Sequence, residues 1–190
     1  MTNAVTLIIL HQLLFQGMFF TKNLTLKNNL GAPVRGNNTE ANLSIVFFVL
    51  FIVFAIYLAV SGGGWGRLQL LAPSVALALA VLLLLANMVV GFASLYGLGD
   101  SWRVGVIEQE HTDLIDTGIY GHTRNPYFVS YLLFFAAYIV LLQSPILLLL
   151  GLIGCRLVHS MILKEERHLE SVHGESYRLQ CNRVPRYLLR

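Results

Sequence analysis

Uninterrupted apolar runs constrain this chain more than any other feature. Residues 43–60, 73–96, 126–142 and 146–163 are built almost wholly from Leu, Val, Ile, Phe, Ala, Met and Tyr. A helix needs about 20 such residues to cross the hydrocarbon of a bilayer. Only 12% of the residues are charged, against roughly 25% in a soluble domain. That is too few to cover the surface of a water-soluble globule, so the chain reads as an integral membrane protein. Residues 5–20 form a further, shorter apolar segment interrupted by His11, Gln12 and Gln16. It lacks the basic leader and small-residue cleavage site of a signal peptide, so it reads as a retained first helix.

The connections complete the organisation. Residues 21–42 are polar, contain Gly31, Pro33 and Gly36, and read as a loop; the Asn-x-Ser/Thr triplets at Asn23, Asn37 and Asn42 matter only on a lumenal face. Residues 61–67 turn the chain, with Trp65 placed as an interfacial anchor. Asn87, inside the third apolar run, suits a buried helix–helix contact. Gln143-Ser144-Pro145 is short enough only for a tight helical hairpin. Residues 164–190 form a charged tail that begins as a helix and breaks at Gly174. The fold class is therefore all-α integral membrane, with about five transmembrane helices, a tight hairpin of helices four and five, and a helical C-terminal tail. One membrane domain spans 1–190, with three spans in 1–96 and the chemically rich part in 97–190. Cys155 and Cys181 have no disulfide or metal spacing, so no metal site is expected.

Charge fixes the orientation. Lys22, Lys27 and Arg35 lie in the first loop, Arg103 and Arg124 in the third, and six further Lys and Arg between Lys164 and Arg190 in the tail. In a five-span chain these regions share one face, and Arg67 alone marks the other. Positive residues mark the cytoplasmic side, which places the N-terminus outside and the 97–124 connection and tail in the cytosol. Arg156 and His159 lie within the fifth apolar run. Ionisable groups there are presumed functional, although His159 is near enough to the end to snorkel.

Three polar clusters converge on that cytosolic face. The first is Leu98-Gly99-Asp100-Ser101-Trp102; the second runs from Thr112-Asp113-Leu114-Ile115 through Gly118 and Tyr120 to Arg124-Asn125-Pro126-Tyr127; the third is Glu165-Glu166, then Gly174-Glu175-Ser176-Tyr177 and Arg186. Pro126 suits the first turn of a helix, with Asn125 as its N-cap. In this order and spacing the chain resembles the isoprenylcysteine carboxyl methyltransferase family, a group related to phospholipid N-methyltransferases. The family pattern is Leu-Gly-x-x-Trp, Leu-Val-x-x-Gly-x-Tyr, Arg-His-Pro, a tight apolar hairpin, a Glu pair, Gly-x-x-Tyr and a final Arg. The resemblance covers 98–186 and leaves the first two spans without a motif.

The resemblance implies an S-adenosylmethionine-dependent methyltransferase with its cofactor pocket in the cytosol. Thr112, Asp113, Leu114, Ile115 and Tyr120 match the segment that lines the cofactor. Asn125, Pro126, Tyr127 and Phe128 match the segment that closes over it, and Glu165 matches the cofactor-binding glutamate. The chemistry agrees, since a sulfonium and an ammonium suit carboxylates and π faces, and a carboxylate suits Arg124 or a helix start. Arg124, Lys164 and Arg186 are the candidate catalytic cations, although Arg186 reads equally as one more positive-inside charge. Glu166, about 100° around the helix from Glu165, reads as structural.

The chain departs from the pattern at three places: Asn125 stands for the histidine, Phe128 for a tyrosine, and Met161 for the arginine that holds a substrate carboxylate. Lys164 lies near the face that Met161 occupies. The expected partners are membrane lipids and a lipid-like or prenylated acceptor entering from the bilayer, with no nucleic acid. Phospholipid amine N-methylation is the first alternative and a nicotinamide-dependent sterol-type membrane reductase the second; a non-catalytic scaffold is the remaining class.

Overall fold

The computed structural model describes residues 2–30, 39–62, 68–104 and 113–188. Six helices follow in order: α1 (Thr2–Leu30), α2 (Thr39–Val60), α3 (Pro73–Leu98), α4 (Pro126–Leu142), α5 (Pro145–His173) and α6 (Glu175–Arg183). Short 3-10 turns occupy Gly99–Ser101 and Gly118–Gly121. The chain is an all-α membrane protein: α1, α2, α3 and α5 are each long and apolar enough to cross a bilayer.

α4 is the shortest apolar helix and the innermost. Its 17 residues span about 25 Å at 1.5 Å per residue. Phe128, Tyr131, Phe134, Phe135, Ala137, Tyr138 and Leu141 bury nearly every side of it. A helix that is apolar all round belongs inside a bundle, and α4 packs most extensively on α3. The surrounding helices turn the other way: Leu13, Leu50, Leu82, Val89 and Leu152 are all more than half exposed. In water that surface would associate; in a bilayer it is the lipid face. α5 comes close enough to touch α4 and α2 at Gly154, where a Cβ would stand 2.6 Å from Phe135 and 2.9 Å from Phe47.

One polar knot ties α1, α3 and α4 together in mid-bundle. Asn87 donates to the Ser130 carbonyl (2.7 Å), which fixes its amide oxygen toward His11 Nε2 (2.8 Å). His11 Nε2 therefore carries a proton, and Nδ1 is free to accept from the Tyr138 hydroxyl (3.0 Å). Gln12 donates to the same hydroxyl (2.9 Å). Each buried polar atom finds a partner, as hydrocarbon surroundings demand. Asn87 is thus the helix–helix contact its position suggests.

The loop expected over residues 21–42 is overturned at 21–30 and 39–42, which are helical, while 31–38 lie outside the described residues. α1 continues past Phe20 to Leu30, because no glycine or proline interrupts it before Gly31. Thr21 turns its hydroxyl back onto the Gly17 and Met18 carbonyls (2.9 and 3.0 Å), and Leu26 is buried. The apolar run ends at Phe20, but the helix does not. The hairpin is as tight as expected: Gln143 is left-handed (φ 49°), and the Ser144 side chain accepts from the Leu147 amide. Gln143 also pairs with Leu71 through both amide atoms (2.7 and 3.1 Å). α5 runs unbroken from the membrane into the tail and stops at Gly174 (φ 53°), where a positive φ favours glycine. Arg35, Asn37, Trp65 and Arg67 lie outside the described residues.

Candidate functional site

At the end of the bundle where α1 and α3 finish and α2 and α4 begin, the helices part around a cavity. It holds about 1450 Å³ of atom-free space, a figure that includes the open solvent at its mouth. One wall is aromatic. Trp102 donates its indole N–H to Asn23 (2.7 Å) and meets Tyr127 edge-on at 4.7 Å. Tyr127 and Tyr131 share a hydroxyl–hydroxyl bond of 2.9 Å, and Phe48 from α2 stacks on Tyr131 at 4.6 Å. Tyr120 closes the side near Gly97. Burial, and then the charge of nearby Glu165, pushes its phenol well above the ordinary range.

The facing wall is a stripe of α5. Met161, Lys164, Glu165 and His168 recur at helical spacing and all line the cavity. The Glu165 carboxylate has no hydrogen bond or ion pair among the described residues. Glu166, one residue on, points away from the cavity and is 9% exposed. It takes Arg124 on Oε1 (3.0 Å), Asn125 on the same oxygen (3.2 Å), and Arg186 on Oε2 through Nη2 (2.7 Å) and Nε (3.0 Å). That hydrogen bond holds the Arg186 guanidinium above its ordinary range.

The roof comes from the tail. Gln180 of α6 donates to the Ile115 carbonyl (3.1 Å), and Arg183 pairs with Asp116 (3.2 Å). The Arg124 amide donates to the Pro185 carbonyl (3.0 Å), and Thr123 and Asn125 donate to that of Arg186 (3.0 and 3.2 Å). The tail is thereby strapped across the start of α4. Arg124 lies over the Tyr177 ring at 5.9 Å. Arg124 Nε and the Tyr177 hydroxyl are both buried without a partner among the described residues, and both residues line the cavity.

The structure brings together Asp113, Leu114, Ile115, Tyr120, Arg124, Asn125, Tyr127, Phe128, Lys164 and Glu165 around this one space. Pro126 is the first residue of α4 and Arg186 is held on Glu166; neither lines the cavity. Thr112 lies outside the described residues. Asn125 occupies the N-cap position, but its side chain makes no capping bond; its amide is spent on Glu166 and the Arg186 carbonyl. Sequence reasoning quoted Trp102 and Tyr177 within motifs without assigning either a role. It missed Tyr131 and Gln180, and it missed Ser44 and Phe48 of α2, where no motif pointed to a site.

An unpartnered carboxylate, an unsatisfied guanidinium N–H and several π faces around one cavity suit a ligand that carries both a cation and a carboxylate. S-adenosylmethionine has that charge pattern. A model of the phospholipid methyltransferase family matches residues 75–176, from the start of α3 to the start of α6. No curated protein matches the chain.

Proposed function

The chain belongs to the phospholipid methyltransferase family, and we propose that it transfers a methyl group from S-adenosylmethionine to a hydrophobic acceptor dissolved in the bilayer. The observation that carries this reading is Glu165, a carboxylate without a partner among the described residues in a cavity walled by Trp102, Tyr120, Tyr127 and Tyr131. Bound there, S-adenosylmethionine would supply a methyl carbon made electrophilic by its sulfonium. Glu165 would hold the ammonium, the free Arg124 Nε–H would hold the carboxylate, and the aromatic faces would lie against the adenine and the sulfonium. An acceptor lone pair, on an amine that has first given its proton to water, would take that methyl. Because the sulfide leaves neutral, the protein's share is alignment and exclusion of water. The wall of Phe48, Tyr131 and Phe128 does the excluding. The positive charges near the cavity support a cytosolic mouth and an external N-terminus.

Met161 bears on the acceptor. It lines the cavity on the face that Lys164 and Glu165 share, and a thioether cannot form the two-pronged pair that arginine makes with a carboxylate. This favours a lipid amine over the carboxylate of a prenylated cysteine. Labelled S-adenosylmethionine incubated with purified protein and each acceptor class in vesicles tests the choice. Methyl label in an amine-bearing phospholipid is expected; label confined to a prenylcysteine ester would reverse the assignment, and label in neither would remove it.

A further inference from the structure

We propose that the outward face of α5 holds the phosphate of an anionic membrane lipid at Arg156. Arg156 is exposed, and its guanidinium has no hydrogen bond or ion pair among the described residues; only its carbonyl is used, accepting from Ser160 (3.0 Å). Leu149, Leu152 and Ile153 around it are 59%, 60% and 44% exposed, so the same face meets hydrocarbon. Arg167, also exposed, follows eleven residues later, about 20° from Arg156 around the axis. The face therefore passes from lipid-facing leucine and isoleucine through one deep cation to a second cation nearer the water.

Depth decides what the deep cation needs. Arg156 is eleven residues beyond Pro145, about 16 Å along the axis. α4 beside it spans only about 25 Å. A side chain reaching toward the cavity end brings the guanidinium to within several ångströms of the level where α4 begins. The remaining distance to the headgroups is closed by the local bilayer thinning that a lipid-facing arginine itself induces. An arginine there requires a counter-ion.

Among the described residues, α5 has no acid to offer. On α5, Glu165 faces the cavity, Glu166 is held by Arg124 and Arg186, and Glu170 is paired with Arg178 (2.8 Å). A second copy does no better, because stretches 1–39, 41–99 and 117–164 contain no Asp or Glu at all. No span of this chain can present an acid at that depth. The remaining source of anion is the lipid, and the guanidinium fork matches two phosphate oxygens. One helical turn toward the water, His159 Nδ1 and the Tyr187 hydroxyl, 2.8 Å apart, give the headgroup a polar edge to rest on.

The test titrates purified protein in detergent with phosphatidylglycerol and, separately, phosphatidylcholine, and counts bound lipid by native mass spectrometry. The wild type should bind phosphatidylglycerol saturably, and Arg156→Gln should weaken it about tenfold or more. Arg156→Lys, which keeps the charge and loses the fork, should fall between, and phosphatidylcholine binding should not change. If Arg156→Gln does not fold, Arg156→Leu, matched to the lipid face, takes its place. Phosphatidylglycerol affinity within twofold of wild type in the uncharged variant would overturn the proposal. So would a change in oligomeric state with lipid binding intact, because Arg156 would then serve contacts between copies.

Discussion

Glu166→Gln removes the charge on which Arg124, Asn125 and Arg186 converge at 3.0, 3.2 and 2.7 Å. Breaking one partner out of a buried ion pair costs about 3–5 kcal/mol, because the other charge stays behind without compensation. The Arg124–Glu166 pair qualifies, with side chains 10% and 11% exposed. Arg186 is 37% exposed, so water screens its share toward the roughly 0–1 kcal/mol of surface pairs. Glutamine retains an acceptor oxygen, which keeps one hydrogen bond and sets the total near the lower bound, about 3 kcal/mol. At roughly 2–4 °C per kcal/mol for a chain of this size, the unfolding midpoint in detergent should fall by about 6–12 °C. Glu165→Gln is the control. Its carboxylate is partly buried with no partner among the described residues, so the neutral amide should not lower stability. Equal midpoints for the two variants, followed by circular dichroism, would refute the division between a structural and a ligand-facing glutamate.

Met161→Arg should raise carboxylate methylation or carboxylate binding and depress transfer to the native acceptor, measured with both acceptors at saturating cofactor. Strong wild-type turnover of a prenylcysteine that survives Lys164→Ala would contradict the reading of that wall. Gly154→Ala should cost about 1–3 kcal/mol, since the new methyl meets Phe135 and Phe47 at 2.6 and 2.9 Å; an unchanged midpoint would mean that α5 does not pack this closely. In a background lacking Cys155 and Cys181, Gly121→Cys should resist an impermeant thiol reagent applied outside intact cells, and Gly63→Cys should react. The reverse pattern would put the cavity on the outer side.

The spans were legible because a bilayer imposes a crude requirement, a run of apolar residues of fixed length. The helix ends were legible where chemistry is local: Pro73 and Pro126 at helix starts, Gly174 at a stop. The extension of α1 was not, because hydropathy reports where lipid ends and not where hydrogen bonding ends. Thr21 to Leu30 is polar but still helical. Much of the cavity was legible from motifs that lie in the connections and on α5, where Glu165 and Glu166 already had to face different ways. Phe48 and Ser44 were illegible because an apolar helix looks alike on every side, and only the packing of α2 beside α4 and α5 turns those two residues inward. The clamp at Glu166 joins positions 42 and 20 residues apart, a proximity that no local pattern encodes.

Calorimetric titration of S-adenosylmethionine into the purified protein in detergent reaches the central claim most directly. One saturable site is expected, weakened in Glu165→Gln by about 1.5–3 kcal/mol, tenfold or more in affinity, with Glu166→Gln affected less at a temperature where it remains folded. No saturable heat with S-adenosylmethionine, or a saturable response to a reduced nicotinamide cofactor in its place, would contradict the account.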